Sequence, residues 1–105
     1  MRTDFADLGR FTDVSLLILL SLANGEKHGY AMIEDIDRFS GTALEPGTLY
    51  GALMRLEKKG WIEALPAEDR RHPYRLTAAG AAALREQLST LRRIVTTGVE
   101  RLALG

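Results

Sequence analysis

The chain has 105 residues, 46% of them hydrophobic and 27% charged, with 14 basic side chains balanced by 14 acidic ones. That length supports one domain whose modest core a partner subunit would extend, and the zero net charge argues against a general polyanion binder. The lack of cysteine excludes a disulfide framework, a thiolate metal site and a thiol nucleophile, and fits a reducing cytoplasm.

In chain order, Thr12 or Asp13 is placed to cap a first helix that runs to about Ala23 and stops at the turn residues Asn24-Gly25. Its run "VSLLILLSLA" is apolar nearly all round, so it must be covered on both sides. It falls short of the roughly 20 residues of a membrane span, so no membrane association is expected, and the start of the chain carries no signal-peptide pattern. A second helix is expected from Gly29 to Phe39, with Tyr30, Ile33, Ile36 and Phe39 at helical spacing inside and Glu34, Asp35, Asp37 and Arg38 outside.

The stretch "EPGTLYGALMRLEKKGWIE" opens a third helix at Pro46, where the missing N–H costs nothing, and ends it near Gly60. Beyond it "WIEAL" and "YRLT" alternate as strands do, around the polar turn "PAEDRRHP", which predicts a hairpin. From Thr77 the pattern returns to helix, with Leu84, Leu88, Leu91, Val95, Gly98 and Leu102 at the alternating 3-4 spacing of a seam between helices. Such a helix reaches about 40 Å, longer than the small domain beside it, and is expected to pair with its copy in a second subunit. The fold class is therefore mainly α with a small β-hairpin: a winged helix-turn-helix over 1–77 and a dimerisation helix over 78–105, in one compact unit.

Two glycines inside the third helix need a reason, since each costs roughly 1 kcal/mol against alanine. Helical spacing puts Leu49, Ala52, Leu53 and Leu56 on the core face. Gly47, Gly51, Met54 and Lys58 then share the opposite face, with Thr48 and Tyr50 on its flanks and Arg55 at a shoulder. Two readings remain: the glycines pack against a neighbouring helix, or they leave room for something large. Helix, turn, helix and an Arg-rich hairpin is the order in which the second motif helix enters a DNA major groove, so the DNA reading is favoured. The segment 44–77 carries six basic against five acidic residues, its basic ones clustered as Arg55/Lys58/Lys59 and Arg70/Arg71/Arg75. Those clusters suit contacts to the phosphate backbone.

"HGYAMIEDI", "PGTLYGALMRLEKKGWIE" and "RRHPYRLTAAGAAAL" together resemble the PadR family of bacterial transcriptional regulators, over about Leu16 to Leu84. The resemblance implies a homodimeric winged helix-turn-helix repressor that binds a double-stranded DNA operator of two-fold symmetry and, in many members, is released by a small hydrophobic or aromatic effector. It maps the DNA contacts onto Thr48 and Tyr50, and onto Gly47, Arg55, Arg70 and Arg71. Two features depart from the family pattern: Glu45, where members often carry a small residue, and Glu68-Asp69 ahead of the wing arginines.

His28, whose "HGY" stretch the resemblance places near the DNA-facing side, is read as a capping or packing histidine in preference to a phosphate contact, and His72 as solvated at the wing tip; two separated histidines without cysteine make no metal site, and no cofactor is expected. Trp61 is read as a cover over the core. Any effector pocket is expected between the apolar first helix and the C-terminal helix of a partner. No nucleophile motif, phosphate loop or enclosed acid/base pair is present, so no enzyme is expected. The rival reading is a winged-helix module whose glycine face receives a partner helix and binds no DNA.

Overall fold

Asp13 starts the first helix: its carboxylate accepts hydrogen bonds from the backbone N–H groups of Ser15 at 2.9 Å and Leu16 at 3.3 Å. The computed structural model describes residues 13–104, so Thr12, the alternative cap, lies outside the described residues. Helix α1, Val14–Leu22, buries Leu17, Ile18, Leu19, Ser21 and Leu22. As a helix without a polar face must, it is covered from several directions: by α2 (Gly29–Ser40), α3 (Pro46–Lys58), β2 (Tyr74–Leu76) and α4 (Ala78–Leu104).

Helix α2 differs from the sequence expectation in which residues it turns inward. Gly29, Met32 and Ile36 are buried, whereas Tyr30 is 68% and Phe39 47% exposed. The core stripe begins one residue earlier than the aromatic pattern suggested. Asp35, expected outside, accepts a hydrogen bond from the buried Ser21 hydroxyl at 2.7 Å and pairs with Arg38. This bond satisfies the one fully buried polar side chain among the described residues, which unpaired would cost about 1–3 kcal/mol.

Helix α3 buries Leu49, Ala52, Leu53 and Leu56, the face its spacing indicated. Gly60, at φ 79°, turns the chain into β1 (Ile62–Ala64), which pairs antiparallel with β2 in the register Ile62 to Leu76, Glu63 to Arg75 and Ala64 to Tyr74. A further bridge extends the sheet on its other side: Lys27 and Tyr74 exchange backbone hydrogen bonds of 3.1 and 2.9 Å. The wing is thereby anchored to the turn that leads into α2.

Thr77 caps α4, accepting a bond from the Gly80 N–H at 3.0 Å while its hydroxyl donates to the Gly60 carbonyl at 2.6 Å. The helix has 27 residues, but only its first turns pack on the protomer, and everything from Arg92 to Leu104 is exposed. Leu84, expected in the seam between subunits, is 5% exposed and belongs to the protomer's own core. At its position α4 still lies against α1, and the helix leaves the domain only after it.

The joint between wing and α4 depends on Gly80. A Cβ there would come 2.0 Å from the Trp61 carbonyl oxygen, an impossible contact. Gly80→Ala is therefore expected to destabilise the protein by about 2 kcal/mol or more, despite alanine's better helix propensity. Urea denaturation checks this; an unchanged midpoint would mean that the joint yields freely.

Candidate nucleic-acid interface

The outward face of α3 is bare. Gly47, Thr48, Tyr50, Met54, Arg55 and Lys58 are exposed and Gly51 is half-buried. A Cβ on Gly47 would meet nothing within 4 Å, and one on Gly51 only the Arg55 guanidinium at 3.8 Å. Packing within the described protomer therefore does not require either glycine. Gly51, Met54, Arg55, Glu57 and Lys58 line a shallow hollow of about 500 Å³ along this face.

The basic residues divide into two kinds. Arg75 pairs with Glu63 across the hairpin, and the Lys59 ammonium lies 4.6 Å above the Trp61 ring, so both are engaged. Arg55, Lys58, Arg70 and Arg71 make no ion pair with another described residue. Charges left unpaired on an exposed face are the ones available to phosphate.

Tyr50 connects this face to the start of α2. Its ring lies over Gly29, where a Cβ would fall 2.6 Å from the tyrosine oxygen and 2.9 Å from Cζ. The wing closes the arrangement on the other side. Tyr50, Arg70 and Arg71, chosen separately from the sequence, meet with His28, Gly29, Tyr30, His72 and Tyr74 around one cleft of about 260 Å³. Thr48 is exposed near the start of α3, outside that lining.

The cleft is lined by arginines, tyrosine hydroxyls and two imidazoles. Burial chiefly, then the Glu57 carboxylate and Tyr50, holds the Tyr74 hydroxyl above its usual titration range, so it stays protonated at neutral pH. His72 Nδ1 donates to the Leu65 carbonyl oxygen at 3.0 Å. Of the two roles expected of His28, packing holds and capping does not: its side chain makes no capping bond, and its Nδ1 is buried without a partner among the described residues. The glutamate ahead of α3, Glu45, is likewise exposed and makes no capping bond.

The wing turn is strained. Glu68 and Arg71 exchange backbone bonds of 2.7 and 2.9 Å around Asp69 and Arg70, whose φ angles are 49° and 69°. Both central residues are thus left-handed, as a tight two-residue hairpin loop requires, without the glycine that makes this conformation easy. Each such residue costs on the order of 1 kcal/mol.

Of the other residues of this cleft, Tyr30 was expected inside α2, and Gly29 and Tyr74 were not assigned to the interface; the cleft forms from three segments about 20 residues apart in the chain, so helical or strand periodicity does not mark it.

Comparisons with known proteins agree with this architecture. Residues 18–86 match the Transcriptional regulator PadR-like family. The transcriptional regulator Rv3488 of Mycobacterium tuberculosis is 39% identical over 84 residues, covering 77% of this chain and 78% of that protein. An uncharacterised 37.1 kDa protein in transposon TN4556 of Streptomyces fradiae is 41% identical over 85 residues, which are 81% of this chain and 25% of that protein, so the chain spans about a quarter of this relative's length. Among solved structures, a PadR family transcription regulator from Clostridium difficile superposes with a TM-score of 0.74 at 28% identity, over 88% of this chain and 98% of that one. Bacillus subtilis PadR in complex with operator DNA shares the fold, with a TM-score of 0.63 at 23% identity, over 71% of this chain and 46% of that one.

The contact between α2 and α3 is open to test by a double-mutant cycle. Gly29→Ala is expected to cost about 1–3 kcal/mol by overpacking, and Tyr50→Ala in the same chain should relieve most of that cost. Additive losses in thermal or urea unfolding would mean that the tyrosine ring does not define the space at Gly29.

Proposed function

We propose, from the premise that this chain belongs to the Transcriptional regulator PadR-like family, that it acts as a homodimeric, ligand-responsive repressor on an inverted-repeat operator in the cytoplasm. The matching family and the characterised proteins compared above are transcription regulators. DNA binding comes with the family; the repressor role, the dimer, the effector and the contact residues are our reading.

One observation carries it: α3 keeps two glycines on an exposed face that nothing in the described protomer fills, flanked by Thr48 and Tyr50. Side-chain bulk is missing where a helix would approach base edges most closely. On this reading Gly47 and Gly51 admit the helix into the major groove, Arg55 and Lys58 meet the groove's rim, and Arg70 and Arg71 hold the neighbouring backbone. That Bacillus subtilis PadR binds operator DNA with the same fold supports the assignment.

Dimerisation rests on α4. Leu88, Ile94, Val95, Val99 and Leu102 are 41–84% exposed on a helix that projects beyond the domain. With Leu91 and Gly98 they form an apolar stripe that a second copy of the helix would cover, leaving Leu84 in each protomer's own core. Two-fold symmetry then sets the operator half-sites about one helical turn apart, or a multiple of it. A small hydrophobic or aromatic effector fits the hollow of about 220 Å³ between α1, Trp61 and α4, lined by Leu16, Leu19, Lys59 and Gln87 among others.

Three experiments test the reading. Gly51→Glu places a carboxylate on the groove-facing side, and should abolish retention of genomic DNA fragments while leaving the unfolding midpoint nearly unchanged, because that face packs on nothing in the described protomer. Wild-type binding should weaken steeply with salt, with a log-log slope near −0.9 per phosphate neutralised; an affinity insensitive to salt would instead support the protein-partner reading. Separately, Val95→Asp with Val99→Asp should yield a folded monomer in sedimentation equilibrium, and a persistent dimer would remove α4 as the interface.

A further inference from the structure

The cleft between the start of α2, Tyr50 and the wing has features that a plain backbone contact does not need. His72 lines it, and because Nδ1 donates to the Leu65 carbonyl, the neutral ring presents only a lone pair at Nε2. Phosphate oxygens are acceptors, so a neutral His72 opposes one, whereas a protonated ring adds a second N–H and a positive charge. Imidazole is the side chain whose charge changes between about pH 5 and 8, a range in which phosphodiesters keep theirs.

We infer that this cleft is a seat for one phosphate of the DNA backbone and that filling it draws a proton onto His72. The inference rests on the DNA-binding reading above and adds to it a named seat and a coupled proton.

The surroundings favour an anion there. From the wing, Arg70 and Arg71 line the cleft, and Tyr74, still protonated, offers a hydroxyl. Arg70 is held in the left-handed region, at a turn position where glycine is the easy choice. Backbone strain of this kind clusters at sites that hold ligands. From α3, Tyr50 supplies a second phenol.

From α2, Tyr30 and His28 face the same space, and the first turn has no side-chain cap, so its N–H groups add a partial positive charge. The buried His28 Nδ1 lacks a partner, a further polar atom of the lining left unsatisfied within the chain. The carboxylates nearby are outside the lining: Glu68 and Asp69 of the turn, as exposed as Arg70, Arg71 and His72, and Glu57, one cause of the raised titration of Tyr74, while Glu63 is taken by Arg75.

A phosphate contact is independent of sequence, so a random duplex of about 20 base pairs at low salt is a sufficient probe. Its affinity is measured by fluorescence anisotropy at constant ionic strength near pH 6 and near pH 7.5, for the wild type, His72→Gln and Arg71→Gln. The wild type should bind at least about fivefold more tightly at the lower pH, His72→Gln should lose most of that difference, and Arg71→Gln should reduce the salt slope by about one. In long-range proton–nitrogen spectra of the wild type, the titration midpoint of the His72 ring should rise when duplex is added, which a merely structural histidine would not do. Salt-dependent binding with no pH dependence, or with the same dependence in His72→Gln, overturns the proton-coupled seat and leaves DNA binding standing. Absence of binding in the wild type at either pH overturns the DNA reading itself, and the seat with it.

Discussion

The need to cover α1 on all sides governs this structure. Its core face alone carries Leu17, Ile18, Leu19 and Leu22, each contributing about 1.5–3 kcal/mol when removed from water. No single neighbour can enclose a helix of this kind, so α2, α3, β2 and α4 all gather around it. Once they do, the core faces of α2 and α3 are committed, and what remains of each is available for binding. The glycine face of α3 points outward because Leu49, Ala52, Leu53 and Leu56 are required within. The polar contact inside that shell, Ser21 to Asp35, joins α1 to α2 and fixes the rotation of α2 that sends Tyr30 outward.

The same enclosure assembles the cleft. The bridge between Lys27 and Tyr74 ties the second wing strand to the turn before α2, and the Lys27 ammonium bonds back to Asn24 at 2.6 Å and to the Ser21 carbonyl. His28 is the next residue, so the wing and the start of α2 meet at a fixed distance. Tyr50 completes the set because Gly29 leaves room for its ring. Three elements therefore present their polar groups to one space through short backbone contacts, an arrangement better suited to holding a ligand group than flexible side chains on an open surface.

Much of this was legible in the sequence, and the exceptions share a cause. The helix bounds, the hairpin and the two faces of α3 follow from local signals: Pro46 at a helix start, Thr77 at a cap, leucines at helical spacing. Tyr30 and Asp35 were assigned to the wrong sides because two stripes in α2 offer helical spacing, and only the packing of α1 selects the one through Gly29, Met32 and Ile36. Leu84 fits the seam spacing perfectly well, but the point at which α4 departs from the domain is a property of the assembled fold. Gly29 and Gly80 are answers to Tyr50 and Trp61, residues 21 and 19 positions away. A contact at that separation leaves no periodic trace.

The joint at Gly80 bears on how the molecule meets a symmetric site. Thr77 donates through its hydroxyl to the carbonyl of Gly60, in the turn just after α3, and through its N–H to the Trp61 carbonyl at 3.0 Å; Gly80 lies against that same carbonyl. The turn that follows α3 and the start of the projecting helix are therefore joined by two hydrogen bonds and a contact with no slack. If α4 pairs with its copy, the angle at this joint fixes where each α3 lies relative to the two-fold axis. The hollow beside Trp61 opens at the same place, lined by residues of α1, the wing base and α4. On the proposed dimer, a ligand there would not have to act across the domain, because a small rotation at Trp61 would be multiplied along α4 and would change the separation of the two α3 helices by more than the displacement that caused it.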